Sequence, residues 1–385
     1  MKILAIETSC DDTAVAILEK KGESIKVLAS NVSSQISLHN EYGGVFPMMA
    51  KREHVKNLVP VLQKTLSDAQ LHLVKKEKNI FSGISKNIKL AKIKKVLRRE
   101  EVLLQNIVNE IGIDTSLDIE YIAVTVGPGL PPTLWAGINF AKALSVIWNK
   151  KIIPVNHMHG HIVSVLSTDG TFFNTKNVEL PALSLLVSGG HTEIVLVKDW
   201  GTYKILGKTK DDAVGEAFDK VARILSLPYP GGPEISKLAD SHRQHHESQN
   251  IFPRPMSHTN DYDFSYSGLK TSVLYYTKEN DTSNEDTRKL VAREFEDAAI
   301  DILVLKTKKA IGAFDPKCLI VGGGVSANKH LRERLKNEID IPTHLPLHNL
   351  TGDNAVMIGV SAFMNTKKAV SWSSKALHAQ GNLSI

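Results

Sequence analysis

Two stretches far apart in the chain carry the same hydrophobic pattern. Residues 2–19 (KILAIETSCDDTAVAILE) and 182–198 (ALSLLVSGGHTEIVLVK) each run from an apolar segment through a small polar turn into a second apolar segment, which predicts a β-hairpin with an exposed turn. Later in each half comes an apolar strand, a glycine-rich turn and a helical pattern, at 121–147 (YIAVTVGPGLPPTLWAGINFAKALSVI) and 318–335 (CLIVGGGVSANKHLRERL). The same order of elements therefore occurs twice. Residues 167–182 are polar and turn-rich and suit a crossover between the halves.

A strand ending in glycines and opening a helix exposes backbone N–H groups at the positive end of the helix, a recipe for holding phosphate. One such loop is ordinary turn geometry; four in a repeated order point to nucleotide binding. The duplicated pattern resembles the actin-like ATPase superfamily, which implies an α/β fold of two lobes with a central cleft. The expected division is an N-terminal lobe at 1–170 and a C-terminal lobe at 171–385. The first carries an insertion near 72–116 and the second an irregular insert near 236–290, and the last helix is expected to return to the first lobe. His242, His245 and His246 in that irregular region read as solvated surface residues, because no acidic or thiol partner stands at ligand spacing.

Composition narrows the classes. At 385 residues two lobes are the default, and no run of about 18 apolar residues suggests a membrane span. Cys10 and Cys318 are isolated and fit neither a disulfide framework nor a thiolate metal cluster. The chain opens directly on strand-forming residues, so a cytoplasmic protein is expected. A net charge of +6 makes a polyanionic partner plausible.

Longer motifs are more specific. ETSCDDT (7–13), HNEYGGVFP (39–47), GPGL (127–130), LLVSGGHTE (185–193), DDAVGEAFDKVARILSLPYPGGP (211–233), FSYSGLKT (264–271) and GGGVSANKHLR (322–332) together resemble the TsaD family, tRNA N6-adenosine threonylcarbamoyltransferases. The resemblance covers nearly the whole chain outside the 72–116 insertion. It implies transfer of threonylcarbamoyl from threonylcarbamoyl-AMP to N6 of adenosine 37 in tRNAs reading codons that begin with A, which forms t6A. It also implies one divalent metal per subunit, iron with zinc as the alternative, held by His157, His161 and Asp353. The implied adenylate-binding residues are Leu186, Val187, Ser188, Gly189, Gly190, Asp219, Gly232 and Asn328. Ser9 and Cys10, in the first hairpin turn, and Lys270, in SGLKT, are secondary candidates. The implied partners are tRNA and TsaB-like and TsaE-like subunits, or a second copy in a homodimer, with no membrane.

The residue types suit these roles. Histidines four apart on a helix share one face, and a distant carboxylate beside them leaves coordination positions open for substrate or water. Without the resemblance, the pair in PVNHMHGHIV would equally fit ordinary core or surface histidines. Asn156 is placed to cap a helix starting at His157, and His159 then faces nearly the opposite way. Asp219 also reads as a helix-surface carboxylate, Asn328 as an N-cap, and Lys270 as a solvated lysine. The chain departs from the family at His159, where glutamate is common, and at Pro131 and Pro132, where small residues usually follow GPGL.

Residues 71–99 contain eight lysines and two arginines against one acid, Glu77. Apolar residues at 93, 96, 97, 104, 107, 108 and 111 keep helical spacing, which predicts one long amphipathic helix, basic in its early part and packed on the first lobe. It would serve tRNA backbone contact or be a solvated insert. Rival functions are a metalloprotease, for which Met158 stands where the general base would be, an actin-fold sugar or acetate kinase, and a non-catalytic nucleotide-binding scaffold.

Overall fold

The computed structural model describes residues 1–40, 42–75 and 82–385. The chain divides into two units: Met1–Gln35, Val45–Thr175 and Asp353–Ile385 form unit 1, and Ile36–Gly44 with Lys176–Gly352 form unit 2. The division at 175/176 lies near the expected 170/171, but two segments change sides. Ile36–Gly44 joins unit 2, where Arg223 Nη2 donates to the Gly43 carbonyl and Tyr229 N donates to Asn40 Oδ1 at 3.2 Å. Asp353–Ile385 belongs to unit 1.

Unit 1 contains β1 (Lys2–Glu7), β2 (Asp12–Lys21), β3 (Ser24–Ser34), β4 (Val74–Lys75), β5 (Thr115–Ser116), β6 (Tyr121–Gly127), β7 (Lys151–Asn156) and β8 (Phe172–Phe173). Six of these make one sheet in the order β7-β6-β1-β2-β3-β8, and β4 and β5 form a small ribbon. β1 to β3 are antiparallel, while β1, β6 and β7 run parallel. Leu4, Ile6, Val15 and Ile17 pack in one core with apolar residues of the helices Pro47–Asp68 and Pro131–Trp148. The opposite face receives the helix Ala355–Met364, whose Gly359 lets it settle on Leu18: a Cβ there would lie 2.3 Å from Leu18 Cδ1. With both faces covered, the central strands read as continuous apolar runs rather than alternating ones.

Unit 2 repeats the plan with β9 (Ala182–Val187), β10 (Thr192–Asp199), β11 (Thr202–Lys208), β12 (Cys318–Gly322) and β13 (Thr343–His344), in the order β11-β10-β9-β12-β13. Again a three-stranded antiparallel meander is extended on its first strand by two parallel strands. Its core lies against the helices Val214–Ile224, Gly231–Arg243, Ser267–Glu279, Glu285–Phe314 and Lys329–Glu338.

Two sequence expectations need correction. The insertion is not one long helix. Ser82–Val96 is followed by a turn, then Glu101–Asn106 and a π-helical turn, Ile107–Ile111. Glu100 causes the break: it is buried, its carboxylate meets Lys51 Nζ at 3.0 Å, and its backbone opens the second helix. The apolar spacing still does its work, since Ile93, Leu97, Leu103, Ile107 and Ile111 are buried in the unit 1 core while Val108 is exposed. The basic residues between 76 and 81 lie outside the described residues. In unit 2, the expected irregular insert 236–290 is about half helical, being covered by Gly231–Arg243, Ser267–Glu279 and the start of Glu285–Phe314; the irregular parts are 244–266 and 280–284.

Candidate metal centre and glycine loops

Three side chains of unit 1 converge. β7 ends at Asn156, whose Oδ1 accepts from the backbone N–H of Met158 at 2.8 Å and of His159 at 3.4 Å, and this cap starts the helix His157–Val163. One turn apart on it, the His157 and His161 rings stand 4.7 Å from each other, edge to face. Asp353 comes from the other end of the sequence, directly before Asn354, whose Oδ1 caps Ala355–Met364 by accepting from Met357 N at 3.0 Å. Asp353 Oδ1 lies 3.3 Å from His157 Nε2 and 3.4 Å from His161 Nε2. Gly160 permits the approach, because a Cβ there would come within 2.9 Å of Met357 Cγ.

The three ligand atoms lie within 4.8 Å of one another. Nδ1 of the fully buried His161 has no hydrogen-bond partner among the described residues, and its Nε2 meets only the Asp353 carboxylate that His157 also approaches, a costly arrangement that a cation would relieve. The surroundings are rich in carboxylates. Burial pushes Asp12 up to about 7 against a Ser34 hydrogen bond, with Asp353, Asp11 and Glu7 adding to the rise. Burial would lower the His157 imidazole, yet Asp353 and Glu7 hold it well above its ordinary value; His161 is lowered by burial. Burial would likewise raise Asp353, but its two histidine partners hold it well below the usual carboxylate range. Surplus acid and two imidazoles converging on one carboxylate fit a divalent cation on His157, His161 and Asp353.

Sequence reasoning missed Glu7. Its fully buried carboxylate accepts from Thr125 Oγ1 and Ser9 N, and its Oε2 stands 3.1 Å from His157 Nδ1, the nitrogen turned away from Asp353. The signal was a glutamate closing the otherwise apolar run KILAIE. Of the secondary candidates, Ser9 Oγ reaches Asp353 Oδ2 at 3.4 Å, whereas Cys10 presents its carbonyl to His54 Nε2 at 3.0 Å and its thiol is pushed up by burial. His159 is half-buried and lines a separate cavity of about 280 Å³ with Asn365, Lys368 and Gln380. Pro131 and Pro132 are the first residues of Pro131–Trp148, where proline suits the helix start.

In unit 2, Leu186 and Val187 are buried at the end of β9, and Ser188, Gly189 and Gly190 form the turn into β10. Gly323, at φ +94°, passes so close that a Cβ would sit 2.4 Å from the Val187 carbonyl oxygen, and a Cβ on Gly215 would sit 2.6 Å from that of Ser188. The glycines thus bring the ends of β9 and β12 and the helix Val214–Ile224 together. Asp219 Oδ1 accepts from Gly231 N at 2.7 Å at the start of Gly231–Arg243, next to Gly232. Asn328 caps Lys329–Glu338 through Leu331 N at 2.8 Å, while its Nδ2 donates to Ser236 Oγ at 2.9 Å and Glu296 Oε1 at 2.7 Å. Lys270 is half-buried and pairs with Asp212 at 3.1 Å. His242, expected at the surface, is buried and stacks on His246, and burial lowers its imidazole.

The profile of the family described as tRNA N6-adenosine threonylcarbamoyltransferase matches residues 26–77 and 94–360. The chain belongs to that family. A curated relative of that name from Kosmotoga olearia is 39% identical over 96% of this chain and 95% of its own length. Another, from Persephonella marina, is 40% identical over 96% of this chain and 91% of its own. Among solved structures, full-length HypF in its phosphate- and nucleotide-bound form superposes with a TM-score of 0.52 at 13% identity, covering 97% of this chain and 56% of that one, a likeness of fold. The duplicated sheet order is that of the actin-like α/β fold.

Proposed function

We propose that this chain transfers the threonylcarbamoyl group of threonylcarbamoyl-AMP to N6 of adenosine 37 in tRNAs that read codons beginning with A, forming t6A with release of AMP. The observation that carries the reading is the convergence of His157, His161 and Asp353 in a family member of nearly full length. A divalent metal held there, iron or zinc, would supply Lewis-acid stabilisation to charge developing on a carbonyl or phosphoryl oxygen. The protein's own part is positional. Glu7 and Thr125 fix the Nδ1 side of His157, so that Nε2 faces Asp353 and His161. In unit 2, the Ser188–Gly190 turn lies beside Gly215 in the first turn of Val214–Ile224, a glycine-rich strand-to-helix setting suited to the adenylate phosphate, while Val214 N and Gly231 N are held by Thr192 and Asp219. Glu296 and Ser236 hold the Asn328 amide in one orientation.

The rivals lack support of this kind. Met158 still leaves a zincin without its base, and a kinase has no use for the histidine and aspartate cluster. The reading places the protein with tRNA in the cytoplasm; among the described residues no helix is long and apolar enough to cross a membrane. The test is reconstitution with unmodified tRNA, threonine, bicarbonate, ATP and the adenylate-forming enzyme, with nucleosides of the digested tRNA read by chromatography. Runs with and without TsaB-like and TsaE-like subunits establish which partners are required. Absence of t6A under every combination would overturn the reading.

A further inference from the structure

The helix Ser82–Val96 and the turn after it turn one face inward and one outward. Ile93 and Leu97 are buried in the unit 1 core, and Lys89 folds back so that its Nζ donates to the Ile147 carbonyl at 3.0 Å near the end of Pro131–Trp148. Lys86, Lys92, Lys94, Lys95, Arg98 and Arg99 are all exposed. Among the described residues none of the six forms an ion pair; Lys92 instead lies 5.9 Å from the centroid of the Trp372 ring. Six unneutralised cations within 14 positions are costly to hold together by mutual repulsion and gain from a polyanion. Glu100, the nearest buried acid, is already engaged by Lys51.

The family profile matches on either side of residues 78–93 and not across them, so most of this helix lies outside the part of the chain that the profile describes. We propose that its outward face is an auxiliary contact for the tRNA phosphate backbone, extending the substrate footprint beyond the part of the chain that the family profile matches. The inference rests on the transferase reading for the identity of the polyanion. A membrane surface is the weaker partner: a helix lying on lipid presents its apolar face to the bilayer, and here that face is buried in the protein. Backbone contact by lysine and arginine needs no base recognition and draws its strength from counterion release.

The experiment compares the full chain with a variant carrying Lys92→Gln, Lys94→Gln, Lys95→Gln, Arg98→Gln and Arg99→Gln. Anisotropy of labelled unmodified tRNA is recorded across a series of salt concentrations. Each lost phosphate contact removes roughly 0.7 to 0.9 from the slope of log affinity against log salt, so a slope shallower by about 2 to 4 is expected. In turnover, KM for tRNA should rise about tenfold or more, with kcat and KM for the acyl-adenylate unchanged. An unchanged slope and KM would overturn the proposal, as would a variant that loses only its binding to vesicles containing phosphatidylserine. Should the five changes prevent folding, Lys94→Gln with Lys95→Gln alone should shift the slope by about 1 to 2. Failure of the transferase reading looks different: the unaltered chain would then make no t6A, whatever the salt dependence of its binding.

Discussion

Glu7 Oε2 stands 3.1 Å from His157 Nδ1, at the end of β1 and behind the imidazole nitrogen that faces Asp353. A carboxylate behind a ligating histidine fixes the ring and strengthens its donor nitrogen, and losing such a partner typically costs 10- to 100-fold in metal affinity. Glu7→Gln keeps the shape and removes the charge. The expected outcome is a folded protein whose metal affinity drops by about that factor, read by competition with a chelator. Affinity equal to that of the unaltered chain would show Glu7 to be a packing residue only.

Within HMHGH the three histidines should behave differently. His161→Ala removes a fully buried ligand and should abolish stoichiometric metal, measured by elemental analysis of purified protein. His159→Gln should spare it, because that side chain borders the separate cavity beside Asn365 and Lys368. Metal lost on changing His159 but retained on changing His161 would refute the ligand assignment.

Gly160 should tolerate no side chain. A Cβ would intrude on the buried Met357 side chain, with Cγ at 2.9 Å, between the helix of His157 and His161 and the helix that follows Asp353. Overpacking of this kind costs about 1 to 3 kcal/mol, so Gly160→Ala should lower the melting temperature and weaken metal binding together. A change in one without the other would show that helix spacing does not set the site.

Acid sensitivity has a source in unit 2. Burial would raise Asp297, but His330 Nε2 at 3.0 Å and Arg243 Nη2 at 2.7 Å hold its carboxylate far below the ordinary value of 3.8. A carboxylate depressed in the fold contributes its full stability above 3.8 and loses it as pH falls through the range below. Asp297→Asn should therefore cost about 3 to 5 kcal/mol near neutrality, since it takes the carboxylate from buried Arg293, while Arg243 keeps Glu296 and Asp240. It should also flatten the decline in stability below pH 4, seen in urea unfolding across pH. Parallel acid limbs in the two proteins would count against this.

Much of this architecture was legible because local patterns carried it. The paired hairpins and glycine turns appear where the apolar runs placed them, and the Asn156 cap and the four-residue spacing put His157 and His161 on one helical face, while their pairing with Asp353 came from the family resemblance. What escaped was long-range. Glu7 looked like a strand-ending acid until β6 brought Thr125 beside it, and Lys270 looked solvated until Asp212 was placed against it. The break at Glu100 depended on Lys51, some fifty positions earlier, while periodicity alone ran straight through it. Helical faces and caps are local; partners of buried charges belong to tertiary structure.

The return of Asp353–Ile385 to unit 1 bears on how the molecule is made. Unit 1 begins at the N-terminus, yet it lacks its last helix and a carboxylate of its centre until nearly all of the chain has been synthesised. Domains commonly fold in order from the N-terminus during translation; here unit 2, complete at Gly352, can close first while the unit that started earlier waits. A ribosome that stops short of residue 353 leaves two histidines without their aspartate. The centre therefore comes together late in synthesis, after the helix that carries its histidines has long been made.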